Sequence, residues 1–333
     1  MATPVLVSSK FAEQYGGELS KAAERTGIEL ELLQLPVDPA ERLVPEQSAR
    51  IEIAFFSWDI NPDYSRSFFA AAQAAENLRW LHTMSAGVDH PIFQRMLERG
   101  VRLTTSAGST AEPIAQTLIG GVLMLARNFP FWLENQRKRE WNPMGGEGIP
   151  EDLRGQTMVI FGLGSIGHHV ARLAQALGLH VIGVRRSPAR PEDPVHELVP
   201  PGQLLDVLPD ADWLAISAPL TEETRGTIDR EALARLPQGA RVLNVGRGEI
   251  IDEAALIDAL RSGRLGGAYL DVFHEEPLPP DSPLWTLPNV IVTPHNSAVS
   301  RGNEGRGAAI FLENLERWAR GEPLRNEVFA RAE

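Results

Sequence analysis

The stretch TMVIFGLGSIGHHVARLAQALG, residues 157–178, joins an apolar, β-branched run to a helix-like segment through three glycines. The pattern G-x-G-x-x-G alone also fits a glycine-rich turn without a ligand. Here it follows the strand-like TMVIF and opens SIGHHVARLAQALG, the context in which the spacing acquires a mechanism. Gly162 permits a tight turn, Gly164 lets main chain approach a pyrophosphate, and Gly167 allows close helix packing. The helix N-terminus adds amide donors and a positive dipole. The stretch predicts a dinucleotide site on a parallel, doubly wound sheet.

Working outward, the alternation continues through HVIGV, DWLAIS, ARVLNV, GGAYL and NVIVT, with helix-like segments in most gaps. Six such runs with helical crossovers predict a Rossmann-type sheet over 104–299. Upstream, PVLVS, IEIAFFS, LRWLHT and VRLTT alternate with KFAEQYGGELSKAAERTG, SRSFFAAAQAAE and PIFQRMLERG, which predicts a second α/β domain over 1–103. STAEPIAQTLIGGVLMLARNF (109–129) predicts a helix capped by Ser109 or Thr110, with Pro113 in its first turn. PFWLENQRKREWNPMGGEGIPEDLRG carries no sustained period and reads as an extended excursion. RGNEGRGAAIFLENLERWARGEP predicts a terminal helix.

Composition narrows the function. The 333 residues, 43% hydrophobic and 23% charged, are enough for two cores. A formal charge of -12 disfavours nucleic acid as a partner, because affinity for phosphate backbones rests on clustered Lys and Arg. The absence of cysteine removes disulfides, thiolate metal sites and cysteine nucleophiles, and no metal is expected. The N-terminus lacks a signal-peptide pattern, and IAQTLIGGVLMLA (114–126) is short for a bilayer span. These features predict a cytoplasmic protein without a membrane partner.

VRRSP (184–188) closes the second strand of the nucleotide-binding pattern, about 20 residues after the glycines, where an Asp or Glu would bind the ribose hydroxyls of NAD. Arg185 and Arg186 stand there instead. Guanidinium groups bind a 2′-phosphate through charge-assisted hydrogen bonds, so the expected cofactor is NADP(H), with NAD(H) as the other possibility. The competing reading is a solvated pair at a strand exit.

Three more stretches fall at strand ends, the edge where such folds bind ligands: NVGRG with Arg247, DVFHEEP with Asp271 and Glu276, and TPHNSA with His295. An arginine, a carboxylate and an imidazole suit hydride chemistry on a 2-oxo acid. The arginine grips the substrate carboxylate, the imidazole donates the proton, and the acid orients the imidazole and favours its protonated form. His274 is the rival imidazole, but it shares a local turn with Glu276.

With these stretches in place, the chain resembles the D-isomer-specific 2-hydroxyacid dehydrogenase family, through SAGVDH, AEPIAQ, GLGSIG, APLTEETRG, NVGRGEIIDE, GGAYLDVFHEEPLP and TPHNS. The resemblance implies a Rossmann domain inserted into a flavodoxin-like substrate domain made of 1–103 and 300–333, with the active site in the cleft between them. It implies Arg247 as the substrate arginine, Glu276 as the acid paired with the histidine, and His295 as the acid/base. By the same likeness Ser165 and Ile166 line the pyrophosphate, while Pro219, Thr224, Val245, Gly246 and Ser297 contact the cofactor. Asp271 positions the nicotinamide carboxamide, and Ser85, Ala86, Gly87 and Val88 form the substrate loop with Arg247 and His295. SWDINPDY (57–64), with Trp58, is expected to border the side-chain end of the pocket.

Departures from the family pattern are Arg185 and Arg186 in place of the acid, Ser217 where relatives often carry His, and Asn296 and Ser297 in place of two glycines. Glu276 instead of Gln argues against the formate dehydrogenase branch. The resemblance also implies a homodimer through 109–150, which Trp132 and Trp141 fit, with Trp141 reaching toward the neighbouring subunit's substrate pocket. The leading expectation is a glyoxylate/hydroxypyruvate-type reductase. The alternatives are a corepressor-like dinucleotide sensor on the same fold and a phosphoglycerate dehydrogenase-like enzyme, although the chain length leaves no room for the regulatory domain many of those carry.

Overall fold

The computed structural model describes residues 2–85, 87–88, 90–146 and 149–329. The chain divides into two units, 1–109 with 300–333 and 110–299. In the first unit, strands β1 (Thr3–Val7), β2 (Leu30–Gln34), β3 (Ile53–Phe56), β4 (Trp80–Thr83) and β5 (Arg102–Thr105) are parallel neighbours. The second unit supplies β6 (Thr157–Phe161), β7 (His180–Val184), β8 (Glu197–Val199), β9 (Trp213–Ile216), β10 (Arg241–Asn244), β11 (Gly267–Leu270) and β12 (Val290–Val292). Helix Asn303–Ala319 and the short β13 (Glu327–Val328) return to the first unit.

The second sheet has the order β12-β11-β10-β9-β6-β7-β8. Renumbered from β6, this is the 3-2-1-4-5-6 Rossmann order with a seventh strand added at the far edge. The first sheet runs β13-β5-β4-β3-β1-β2, the flavodoxin-like 2-1-3-4-5 order with one antiparallel strand at its edge. Strand side chains sort by parity onto two faces. Val159 and Phe161 of β6 join one core while Met158 and Ile160 join another, because each face is covered and must be apolar. In the first unit Leu6, Ala54 and Phe56 face one core, and Val5, Val7 and Phe55 the other.

Four expectations need correction. β2, β8 and β13 were not anticipated. The first unit runs to Ser109, past the expected 103: β5 pairs with β4 through Thr105, and the Ser106 N–H donates to the Thr83 carbonyl, which keeps 104–106 with the first sheet. The helix expected over 109–129 runs Ala111–Ala126; Thr110 precedes it without a side-chain cap bond, and the Ser109 hydroxyl is buried without a partner among the described residues. The excursion behind it contains a helix, Phe129–Lys138, which starts after Asn128 in a left-handed conformation and has Pro130 in its first turn. Among the described residues no helix is long and apolar enough to cross a membrane.

Candidate active site

The glycine loop links β6 to helix Ser165–Ala176. Gly162 has φ +102°, and a Cβ there would lie 2.4 Å from the Ala218 nitrogen, so only glycine fits. At Gly167 a Cβ would meet the Gly162 carbonyl oxygen at 2.4 Å; the turn and the helix start are packed main chain to main chain. A Cβ at Gly164 would meet nothing within 4 Å, so that glycine serves open space rather than internal packing. Ser165 and Ile166 begin the helix, where amides have no carbonyl one turn back to receive them. Open approach beside free donors is what a pyrophosphate requires, and these residues fit a dinucleotide.

Beside the loop, a cavity of about 470 Å³ is bordered by Gly162, Gly164, Arg186, Pro219 and Thr224. The Thr224 hydroxyl donates to the Pro219 carbonyl at 2.7 Å and receives the Thr221 N–H at 2.8 Å, which holds this wall. Ser217 donates to the Gly162 carbonyl at 2.8 Å, so the hydroxyl standing where relatives often carry His braces the glycine turn. The Val245 N–H donates to Ile216 and the Gly246 N–H to the Asn244 side chain; both amides are already engaged.

The two arginines differ. Arg186 is exposed and makes no hydrogen bond or ion pair among the described residues. Arg185 donates to both oxygens of Asp193, at 2.8 and 2.7 Å, and to the carbonyls of Ser187 and Pro188. Sequence reading did not single out Asp193. Its signal is an acidic pair, Glu192 and Asp193, following three arginines within eight residues.

Arg247, Asp271 and His295 follow β10, β11 and β12, three adjacent parallel strands, at their carboxyl ends. His295 Nδ1 lies 2.7 Å from Glu276 Oε2, and Glu276 Oε1 accepts the Phe273 N–H at 3.0 Å. Both carboxylate oxygens are thereby fixed, and His295 Nε2 carries no hydrogen bond to a described residue. Arg247 is exposed and its Nη1 donates to the Gly246 carbonyl at 2.7 Å; no hydrogen bond joins it to Glu276 or His295 among the described residues. His274 turns elsewhere, with Nε2 3.2 Å from the Ile251 carbonyl oxygen and its N–H donating to Glu253.

Asp271 is buried, and its carboxylate accepts from the Thr293 hydroxyl at 2.6 Å, from the Asn296 and Ser297 amides at 2.9 and 3.1 Å, and from the Ser297 hydroxyl. The acid expected to face a carboxamide therefore ties down the loop that carries His295. Ser297, likewise expected at the cofactor, is buried with its hydroxyl on that acid.

In the first unit, the Ser85 hydroxyl donates to the Gly87 carbonyl at 2.8 Å just beyond β4, and the Val88 carbonyl faces the Gln94 side-chain amide. Ala86 lies outside the described residues. The Trp58 indole N–H is buried without a partner among the described residues. Those residues hold no group of three or more His, Cys, Asp or Glu side chains that could bind a metal.

Residues 119–297 match the model of the D-isomer specific 2-hydroxyacid dehydrogenase, NAD binding domain. The chain is 33% identical to a glyoxylate reductase of Korarchaeum cryptofilum over 91% of this chain and 90% of that one. It is 34% identical to a D-3-phosphoglycerate dehydrogenase of Methanocaldococcus jannaschii over 77% of this chain, and the match spans only 48% of that longer relative. Among solved structures, an NADPH-dependent glyoxylate/hydroxypyruvate reductase of Sinorhizobium meliloti, in complex with NADP and sulfate, superposes with a TM-score of 0.71 at 29% identity, covering 98% of each chain.

Proposed function

The chain belongs to the D-isomer specific 2-hydroxyacid dehydrogenase family, and from that membership we propose that it reduces a small 2-oxo acid, of the glyoxylate or hydroxypyruvate type, with NADPH. The observation that carries the reading is the His295–Glu276 pair at 2.7 Å. A carboxylate on Nδ1 fixes the ring and leaves Nε2 to hold the proton that a carbonyl oxygen needs.

A dinucleotide whose pyrophosphate is held by the glycine loop would supply the hydride for the carbonyl carbon. The protein does the rest. Arg247, at the end of β10, binds the substrate carboxylate and draws charge toward the carbonyl oxygen. His295 passes its Nε2 proton to that oxygen as it becomes a hydroxyl, and Glu276 keeps the ring oriented throughout. The 2-oxo acid, the hydride and one proton yield the 2-hydroxy acid, and the reverse direction uses His295 as the base.

Arg186, exposed on the nucleotide cavity where an acid would select NAD, supports the preference for a 2′-phosphate. The first-unit segment Ser85 to Val88 is read as the substrate loop, its glycine allowing main-chain amides to approach a carboxylate. A homodimer through 109–150 is supported by Phe129, Trp132, Leu133 and Trp141, which expose large apolar side chains; Glu147 and Gly148 of that stretch lie outside the described residues.

The test is spectrophotometric: glyoxylate, hydroxypyruvate and phenylpyruvate, each against NADPH and NADH. Turnover with a 2-oxo acid and a lower KM for NADPH is expected. Tight dinucleotide binding without turnover on any of them would replace the enzyme reading with that of a dinucleotide sensor.

A further inference from the structure

The loop after β7 is closed by one ion pair. Arg185 and Asp193 meet through two parallel hydrogen bonds, with side chains only 13% and 3% exposed. The remaining donors of the guanidinium are also committed. Nε donates to the Ser187 carbonyl, Nη2 also to the Pro188 carbonyl, and Nη1 lies 3.3 Å from His168 Nε2. Asp193 also receives the Arg190 N–H at 2.7 Å, so both ends of 185–193 converge on one carboxylate. His168 Nε2 also stands 3.1 Å from the same acid; according to its tautomer it receives from Arg185 or donates to Asp193, and either contact ties the loop to the helix that begins at the glycine turn.

A 2′-phosphate arriving here finds Arg185 occupied. To bind it, Arg185 would have to leave a buried bidentate partner, and the abandoned carboxylate would then face the phosphate with like charge. The Arg185 guanidinium holds the Asp193 carboxyl down at about 2, so the pair stays ionised under ordinary conditions. Arg186, by contrast, is free, and Ser187 and Arg190 line a second cavity of about 480 Å³ with Ser165, His168 and Arg172. That lining is basic in a chain of net charge -12.

We propose that Asp193 and Arg185 form a staple that positions the phosphate-selecting loop, and that Arg186, held in place by it, carries the discrimination between NADPH and NADH. Asp193 is thus a specificity-determining residue that acts through its neighbours. The proposal rests on the NADPH reading above.

The experiment measures kcat/KM for NADPH over that for NADH on the full chain, with Tm as a second readout, for the wild type, Arg186→Gln, Arg185→Gln, Asp193→Asn and the Arg185→Gln/Asp193→Asn double variant. Arg186→Gln should lower the ratio roughly 10- to 100-fold through the KM for NADPH, as loss of a charge-assisted contact implies. Asp193→Asn and Arg185→Gln should each lower it by about threefold to tenfold, and the double variant should fall no further than the worse single, since one staple is lost only once. A higher ratio in Asp193→Asn would show that the released Arg185 is itself the phosphate ligand, and would overturn the staple while leaving NADPH preference intact. An equal loss for both cofactors with a lower Tm would make the pair merely structural, which also overturns it. A wild-type ratio below one would end the NADPH reading and the staple together.

Discussion

The main-chain N–H of His295 donates to the carbonyl oxygen of Asp271 at 2.8 Å, and the side chain of the same aspartate holds the residues on either side of the histidine. His295 has φ +49°, a left-handed conformation that costs a non-glycine residue on the order of 1–2 kcal/mol. Such a conformation persists where its surroundings over-determine it. Thr293 before it and Asn296 and Ser297 after it are fixed by one buried carboxylate, which keeps the ring aimed at Glu276.

Ser297→Ala tests this arrangement. The variant loses a hydroxyl donor to a buried charge, a change of about 1.5–3 kcal/mol in stability, and slackens the loop. Turnover should drop roughly tenfold through misplacement of the imidazole, with the KM for NADPH nearly constant. A raised KM for NADPH at unchanged kcat would mean that Ser297 serves the cofactor rather than the loop.

Glu276→Gln removes the anion beside Nδ1 while keeping an oxygen for the Phe273 N–H. Turnover should fall at least about tenfold, and His295→Asn should lower it by about 100-fold or more, the ordinary worth of general acid catalysis. Combining the two should cost little beyond His295→Asn alone, because Glu276 acts through the ring. Steady-state kinetics decide, and additive losses would separate the two residues.

The glycine turn and the residues at the ends of β10, β11 and β12 are legible in the sequence because their constraints are local. A φ of +102° or a close main-chain approach admits one residue type, and strand ends are marked by the runs that precede them. What escaped depends on distance or brevity. β2 and β8 are edge strands, LELLQ alternating with acid and ELV only three residues long, and β13 is two residues paired across the chain. Helix Phe129–Lys138 buries only Asn135, so no apolar period announces it. The Arg185–Asp193 pair forms only once eight residues have folded back, and no spacing rule reports that.

Gly162 and Gly164 can be separated by experiment. Gly162→Ala forces a methyl into the Ala218 main chain at a positive φ and should destabilise the protein by about 1–3 kcal/mol or more. Gly164→Ala meets open space, so denaturant unfolding should change by less than about 1 kcal/mol. Its NADPH affinity, followed by fluorescence titration, should nevertheless weaken about tenfold or more, since the methyl stands where main chain and pyrophosphate approach. Unaltered affinity would place the pyrophosphate elsewhere.

Trp141 is 97% exposed and Trp132 38%. If they lie at a subunit interface, Trp132→Glu/Trp141→Glu should convert a dimer to monomer in sedimentation velocity, because unpaired charge in an apolar interface core opposes association. Helical content should be retained, since Trp141 is almost wholly exposed and Trp132 gives up only one side-chain bond, to the Arg127 carbonyl. A dimer that survives the double change uses another face.

His82 lies on β4 between the Thr104 and Ser106 hydroxyls, with its ring against Phe55 and Phe311. Burial pushes it down to about 3 from 6.5, so the folded first unit holds it neutral while an unfolded chain protonates it. Between those two pH values the unfolded state binds the extra proton. The contribution is therefore complete above about 6.5 and is lost as pH falls toward 3, at up to about 1.4 kcal/mol per pH unit. Asp193 acts in the same direction over a lower window: the guanidinium beside it holds its carboxyl at about 2, so its contribution is lost only as pH falls from 3.8 to 2. Hydrogen exchange of the β3–β5 amides, which reports the first unit by itself, should show protection falling steeply from pH 6 to 4. In His82→Gln, which carries no titrating ring, protection should be lower at pH 7 and decline less over the same interval. Parallel decline in both proteins would mean that His82 does not drive the acid sensitivity of this sheet.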